Sequence, residues 1–259
     1  MIDIHCHFLP GIDDGPSSLS EALAMARQAV GDGIHAIVAT PHTLNGVYTN
    51  DRASVLSAVA EMQSFLSGQK IDLKLYAGGD THLTDHMAER VRAGEICTIA
   101  DRSRHLLLEM PRHVLPRAVQ TEVYALRLNG LTPIITHPER NDTIQRDPGL
   151  LLDLIRMGAL SQITAMSLTG GFGRLVRSVA KKLVAQRLVH LIATDAHSPD
   201  HRPVSLSAAV HVAAEILGST DEAERMVTAV PSAILAGESP EIPEPALRPG
   251  GRVERAARV

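Results

Sequence analysis

Short apolar runs alternate along the chain with longer stretches whose apolar residues recur at helical spacing. The runs "MIDIHCHF", "IHAIVAT", "IDLKLYAGG", "HLLLEM", "LTPIITHPER", "LSQITA" and "LVHLIATDAH" read as seven strands. Between and after them, "SLSEALAMARQAVGDG", "DRASVLSAVAEMQSFLS", "THLTDHMAERVRAG", "PRAVQTEVYALRLNG", "DPGLLLDLIRMG", "RLVRSVAKKLVAQ", "VSLSAAVHVAAEIL", "TDEAERMVTAV" and "PSAILAG" read as helices. Ser18 and Glu21 stand at capping-box spacing ahead of the first of these. Strand followed by helix, repeated, predicts parallel β/α units, which fit either a barrel or a doubly wound sheet. The last stretch, residues 238–259, is Pro-rich and charged and is expected to lack a fixed structure. No internal repeat is evident.

The polar residues sharpen this picture by where they fall. A strand over Asp3 to Phe8 points His5 and His7 to one face and sends Cys6 to the other. Further on, His42 follows "IVATP", Asp80 follows "LYAGG", Glu109 ends "HLLLE", His137 follows "PIIT", and Asp195 and His197 close "LIATDAH". All lie at or just beyond the C-terminal end of a strand, the end that carries the active site in parallel α/β folds. Histidines that only satisfied local hydrogen bonds would have no reason to share that edge.

Composition excludes several alternatives. A chain of 259 residues can bury a large core within one barrel-sized domain, expected over residues 1–237. Its formal charge of −4 gives no electrostatic reason to expect nucleic acid as a partner. No apolar run reaches the roughly 18 residues a bilayer span needs, and the start lacks the basic and apolar regions of a signal peptide. Together these predict a cytoplasmic enzyme-like chain without membrane insertion. The two cysteines, Cys6 and Cys97, form no CxxC, so neither a disulfide framework nor a thiolate metal site is indicated. Thirteen histidines is the unusual count, and several neighbour an acidic residue.

Imidazoles and carboxylates without thiolates suit Zn, Mn, Fe and similar ions. His5, His7, Asp14, His42, Asp80, Glu109, His137, Asp195 and His197 make nine candidate ligands. One ion cannot use them all, but two or three can, particularly if Asp80 bridges a pair. Such a cluster lowers the pKa of a bound water and places the resulting hydroxide for hydrolysis. Arg140 and Arg202 follow His137 and His197 by three and five residues. A guanidinium's planar fork of donors matches phosphate oxygens, so this pair favours a phosphoester substrate. The plainer alternative for each is a salt bridge to a neighbour such as Glu139 or Asp200.

The stretches "DIHCHFLPGIDDGP", "IVATPH", "THPERN", "QITAMSLTGGFG" and "IATDAH", in this order, resemble the PHP superfamily. Within it they resemble the bacterial tyrosine phosphatases of the capsule and exopolysaccharide type, from Met1 to about Gly237. The resemblance implies a distorted seven-stranded β/α barrel holding three metal ions, commonly manganese, with iron or zinc as other candidates. It assigns His5, His7 and Asp195 to the first ion with Asp80 shared, Asp80, Glu109 and His137 to the second, and Asp14, His42 and His197 to the third. Arg140 and Arg202 resemble the family's phosphate-binding arginines. Position 80 departs from the pattern, since the family usually has glutamate in place of this aspartate, which is one methylene shorter. His82 is a candidate substitute ligand, and Gly78 and Gly79 are candidates for permitting a closer approach. The implied reaction is attack of metal-bound hydroxide on phosphotyrosine with no covalent phosphoenzyme. Cys6, turned away from the histidines and lacking a phosphate-wrapping loop, is not expected to be a nucleophile. The implied partner is the tyrosine-phosphorylated tail of a membrane-associated bacterial kinase. A small phosphomonoester, such as a sugar phosphate or histidinol-phosphate-like metabolite, is the second reading, and an inactive phosphotyrosine-binding regulator the third. The amphipathic helices leave a symmetric oligomer open, although packing against the barrel is the simpler use of their apolar faces.

Overall fold

Each of the seven apolar runs forms parallel strand in the computed structural model, which describes residues 1–246. Two of the runs are broken, so that nine strands result: β1 (Ile2–Cys6), β2 (Ala36–Ala39), β3 (His42–Thr43), β4 (Lys74–Ala77), β5 (Asp80–His82), β6 (His105–Glu109), β7 (Thr132–Thr136), β8 (Leu160–Thr164) and β9 (Leu191–Ala193). The first break falls at Pro41, which has no N–H to give a ladder, and the second at Gly78 and Gly79. Both halves therefore step sideways in concert. The outer pieces β1, β2 and β4 pair in that order, while β3, β5, β6, β7, β8 and β9 form a six-stranded sheet. The seam between β1 and β9 is held by a Cys6–Ala196 bridge and by the Asp195 N–H donating to His5 O at 2.8 Å. The result is a distorted β/α barrel. Its distortion brings His42 and Asp80 into register with each other at the start of β3 and β5.

The connections are helical: α1 (Leu19–Gly31), α2 (Arg52–Gly68), α3 (Met87–Ala93), α4 (Ala118–Leu128), α5 (Asp142–Arg146), α6 (Gly149–Arg156), α7 (Ala165–Thr169), α8 (Arg174–Ala185), α9 (Ser207–Leu217), α10 (Thr220–Arg225) and α11 (Ala229–Ala236). The Ser18 hydroxyl caps α1 by accepting from the Glu21 N–H, as the spacing predicts, but the Glu21 carboxylate turns instead to the Ser17 N–H at 2.7 Å. Alternation along the strands splits the apolar residues between two cores. Ile4, Val38, Leu107, Ile134 and Leu191 fill the barrel interior, and Val230, Ile234 and Leu235 of α11 close its lower end. Leu106, Leu108, Ile135 and Ile192 point outward to the helices, where α1 contributes Ala22, Met25, Ala26 and Ala29. Full burial of a Leu or Ile side chain contributes about 1.5–3 kcal/mol, so the two layers together fix the strand ends rigidly.

Residues 238–246 form no helix or strand but lie against the fold, with Ile242 packed on the inner core, Arg225 paired to Glu241 at 2.9 Å and the Ala246 N–H donating to Gln186 O at 2.9 Å. The remainder of that stretch, residues 247–259, lies outside the described residues. No helix among the described residues is long and apolar enough to cross a membrane.

Candidate active site

All nine residues singled out as ligands converge at the C-terminal end of the barrel. β1 delivers His5 and His7 to one place, with their Nε2 atoms 3.3 Å apart, and turns the buried Cys6 toward the helices. Burial pushes the Cys6 thiol well above its ordinary range, so it stays protonated and out of the chemistry. His42 arrives through the step at Pro41, and its Nδ1 lies 3.3 Å from Asp80 Oδ2 and 3.6 Å from Glu109 Oε2. His5 Nε2 lies 3.6 Å from Asp80 Oδ2 and 3.5 Å from Asp195 Oδ1. Asp14 Oδ1 stands 3.4 Å from His197 Nε2 and 3.6 Å from His42 Nε2. His137 Nε2 sits at the edge of the group, 3.7 Å from Glu109 Oε1.

Three subsets bring their ligand atoms within 4.8 Å of one another: His7, Asp14, His42 and His197; His5, His7 and Asp80; and His42, Asp80 and Glu109. They overlap the groupings implied by the resemblance, with His7, His42 and Asp80 each shared between two subsets and His137 and Asp195 outside them. His82, the candidate substitute, is 3.4 Å from Glu109 Oε2 and joins none of the three. It lines, with Glu109, His137 and Arg140, a cavity of about 110 Å³ beside the cluster.

Two backbone positions carry strain to make this convergence. His137 adopts φ +34° and Asp195 φ +50°, the left-handed region that non-glycine residues seldom occupy. Both turn a side chain inward just past a strand end. Gly78 serves the same purpose differently, because a Cβ there would stand 2.8 Å from Val38 Cγ1 and 3.1 Å from Thr40 Cγ2. Gly79 is less constrained, its nearest neighbour being Cys97 O at 3.4 Å.

The electrostatics favour bound cations. Asp80 is fully buried, and neither of its carboxylate oxygens accepts a hydrogen bond among the described residues. Burial opposes its charge, yet the surrounding His5, His42 and His137 hold it well below the usual carboxylate range. Asp195 is likewise held ionised against burial by His5, Arg202 and Arg140. The His197 imidazole brings Asp14 down to about 2. Burial lowers His137 to about 3, aided by Arg140, and burial with the neighbouring imidazoles lowers His7 well below its ordinary value. Burial would lower His42 too, but Asp80 and Glu109 beside it raise it to about 9. Ionised carboxylates and neutral imidazoles are the forms that ligate metals. Four carboxylates face two guanidiniums here, and a buried ionised Asp80 without a donor is the group a divalent ion would satisfy.

The two arginines meet at Asp195. Arg140 Nη1 donates to Asp195 Oδ2 at 2.5 Å, and Arg202 Nη2 is paired with the same oxygen at 2.5 Å while donating to the Asp195 main-chain O at 2.7 Å; Asp195 Oδ1 faces His5 and His7. The alternative pairings with Glu139 and Asp200 do not form. Glu139 is buried and accepts instead from the Thr164 N–H at 3.1 Å and the Ser167 hydroxyl at 2.6 Å, anchoring the loop that carries Arg140. Asn141 pins the same loop by donating to Pro111 O and Val114 O while capping α5. Arg202 Nε is buried and donates to nothing among the described residues, so the guanidinium keeps an unsatisfied N–H at the site.

Several contributors escape sequence reading. Asp13 accepts from His7 Nδ1 at 2.6 Å and from the His42 N–H at 3.1 Å. Gln162 Oε1 contacts His5 Nδ1 at 2.9 Å. Tyr48 stacks on His42 with rings 6.2 Å apart and 9° from parallel, and Phe172 lies beneath both arginines. The doublet "DD" at positions 13 and 14 was the one available signal for Asp13; the stretch "QITAMSLTGGFG" contains Gln162 and Phe172 without giving either a role, and nothing local marked Tyr48.

Comparison with known proteins gives a consistent result. The family of capsular polysaccharide synthesis proteins CpsB/CapC matches residues 1–236. The tyrosine-protein phosphatase YwqE of Bacillus subtilis (strain 168) is 37% identical over 219 residues, covering 85% of this chain and 86% of its own. A crystal structure from a study of YwqE of Bacillus subtilis and CpsB of Streptococcus pneumoniae, described as metal-dependent tyrosine phosphatases, superposes with a TM-score of 0.90 at 34% identity. It covers 96% of this chain and all of that one. A β-aspartyl dipeptidase from Fervidobacterium islandicum AW-1 shares the fold alone, with a TM-score of 0.55 at 13% identity over 91% of this chain and 72% of that one. Matched over residues 1–236, the chain belongs to the CpsB/CapC family of capsular polysaccharide synthesis proteins.

Proposed function

We propose that the protein is a metal-dependent protein-tyrosine phosphatase whose metals are held by His5, His7, Asp14, His42, Asp80, Glu109, His137, Asp195 and His197. The observation that carries this is the joining of two kinds of site through one side chain. Asp195 presents one oxygen to the imidazole cluster and the other to Arg140 and Arg202, so a phosphoryl group seated on the arginines adjoins the ligands. Divalent ions, when bound, supply a Lewis acid that activates water at neutral pH and neutralises charge on phosphate. The ligand count suits three ions, and the all-nitrogen-and-oxygen donor set suits manganese, with iron or zinc as substitutes.

The protein's own residues do the rest. Arg140 and Arg202 orient the phosphoryl group through their guanidinium N–H donors. Fixed donors of this kind cost no reorganisation as charge develops in the transition state. The loop anchored by Glu139 and Asn141 keeps Arg140 from swinging away. No side-chain nucleophile is required, in keeping with the protonated Cys6, buried toward the helices and away from the cluster. The substrate we propose is a tyrosine-phosphorylated protein segment, such as the tail of a bacterial kinase that governs capsule or exopolysaccharide assembly.

The test is phosphate release from a phosphotyrosine peptide by metal-stripped protein titrated with manganese. Saturable, manganese-dependent turnover is expected. Hydrolysis of small aliphatic phosphomonoesters with none of the peptide would move the assignment to a metabolite phosphatase. Peptide binding without turnover at saturating manganese would point to a regulator.

A further inference from the structure

We infer that Phe172 is a positioning residue for phosphate recognition, a shelf that holds the Arg140 and Arg202 guanidiniums in the geometry that receives the phosphoryl group. This rests on the reading of those two arginines as the phosphate-binding pair. The chain has only three Phe, three Tyr and no Trp, so an aromatic ring outside the core is a scarce feature. Phe172 is only partly buried and belongs to neither hydrophobic core, yet Arg140 Cζ stands 5.0 Å and Arg202 Cζ 5.7 Å from its ring centroid. Both distances are within the range at which a ring's quadrupole attracts a guanidinium.

The loop around it is built for this placement. Gly170 has φ +102° and Gly173 φ +91°, and a Cβ on Gly171 would stand 2.5 Å from Met166 Cε. The chain thus leaves α7, projects one aromatic side chain over the arginines, and enters α8 at once. The two guanidiniums come from separate loops, after β7 and β9, and share one carboxylate oxygen. Asp195 holds each fork by one nitrogen only, Arg140 by Nη1 on Oδ2 and Arg202 by Nη2 on Oδ2 and on the main-chain O at 2.7 Å, so each plane can still turn about that nitrogen, Arg140 the more freely. A ring beneath both guanidiniums restrains that rotation and so favours one orientation of each fork.

The charge argument runs the same way. Two cations brought to one oxygen repel each other, and the quadrupole of one ring lying under both offsets part of that repulsion. An aliphatic side chain of equal bulk would fill the space without this attraction.

The experiment measures KM for a phosphotyrosine peptide and the inhibition constant of inorganic phosphate, with manganese saturating, for Phe172→Leu, Phe172→Met and Phe172→Tyr. For the Leu and Met variants both constants are expected to rise about tenfold, with kcat changed less than threefold and with bound manganese and the unfolding midpoint at the parent's values. Phe172→Tyr keeps the ring and is expected to stay within twofold of the parent. Unchanged phosphate inhibition in Leu and Met, or a Tyr variant as impaired as Leu, would overturn the inference. So would loss of manganese or of folding in step with the rise in KM. Arg140→Ala and Arg202→Ala separate the two levels of argument. If they leave phosphate inhibition unchanged, the phosphate-binding reading itself fails, whereas if they abolish it while Leu and Met are silent, only the role of Phe172 fails.

Discussion

Replacing Asp13 by Asn tests whether the metal cluster depends on a residue that ligates nothing. Asp13 Oδ2 accepts from His7 Nδ1 at 2.6 Å and from the His42 N–H at 3.1 Å, while Oδ1 accepts from the Gly15 N–H at 2.9 Å. The contact with His7 fixes the proton on Nδ1 and leaves the Nε2 lone pair facing the cluster, 3.6 Å from Asp195 Oδ1. Asn has the same shape but only one acceptor atom. With its oxygen toward His7 and His42, its NH₂ meets the Gly15 N–H, donor against donor. Turned the other way, it forces the His7 proton onto Nε2 and removes the lone pair. Each arrangement loses one bond, that of the Gly15 N–H in the first and of the His42 N–H in the second, and a metal ion favours the first because it alone keeps the His7 Nε2 lone pair. It still costs the charge assistance of the carboxylate and leaves a buried donor unsatisfied, about 1–3 kcal/mol. Substitution of a carboxylate behind a ligating histidine lowers metal affinity about 10- to 100-fold, and 1.4 kcal/mol per tenfold puts the two estimates in agreement. Manganese affinity measured by competition with a chelator should therefore weaken by that factor, and turnover should recover at higher manganese. Affinity within twofold of the parent, or activity that no manganese concentration restores, would refute the orienting role.

Other perturbations probe the fold and the cluster separately. Asp80→Asn removes the charge from a fully buried carboxylate among three histidines, and metal analysis should find at least one ion fewer per chain with turnover down roughly 100-fold or more, given that the ions supply most of the catalysis. Gly78→Ala drives a Cβ to 2.8 Å from Val38 Cγ1 and should cost about 1–3 kcal/mol in urea unfolding, whereas Gly79→Ala, with nothing nearer than 3.4 Å, should cost less than half as much; equal costs would contradict the packing argument. Burial lowers His190 to about 4, and burial with Arg104 and Arg127 lowers His105 to about 4. Between that value and the unfolded value near 6.5 the unfolded chain binds more protons, so stability falls as pH drops through this window. The fall should be up to about 3 kcal/mol for each histidine, and the His105→Gln, His190→Gln double variant should show a correspondingly flatter profile of unfolding free energy against pH, an unchanged slope being the contrary result.

What the sequence reveals of this site and what it conceals follow from different physics. A candidate ligand is legible when its position is fixed by a strand end, because alternation and strand order then place it without knowledge of the loops. His5, His7, Glu109 and Asp195 are of this kind, and so is the turning away of Cys6. Asp80 and His42 required more. Their approach comes from the sideways steps at Gly78, Gly79 and Pro41, which put the two residues in register. The apolar runs show where those steps occur but not that they coincide. Residues that orient the ligands stay hidden, since each is defined by a contact between distant segments. Asp13 and Asp14 are adjacent and chemically identical, and only the turn through Gly11 and Gly15, where a Cβ on Gly15 would stand 2.6 Å from His7 O, decides which one supports His7 and which one faces the cluster. Gln162 lies 157 residues from His5. Arg140 and Arg202 suggested local acidic partners by proximity in sequence, but the loops after β7 and β9 bring them together on Asp195 instead. On the proposed function Asp195 couples metal binding to phosphate binding, where its sequence position suggests only the first, and phosphate affinity and metal affinity are expected to change together whenever it is altered.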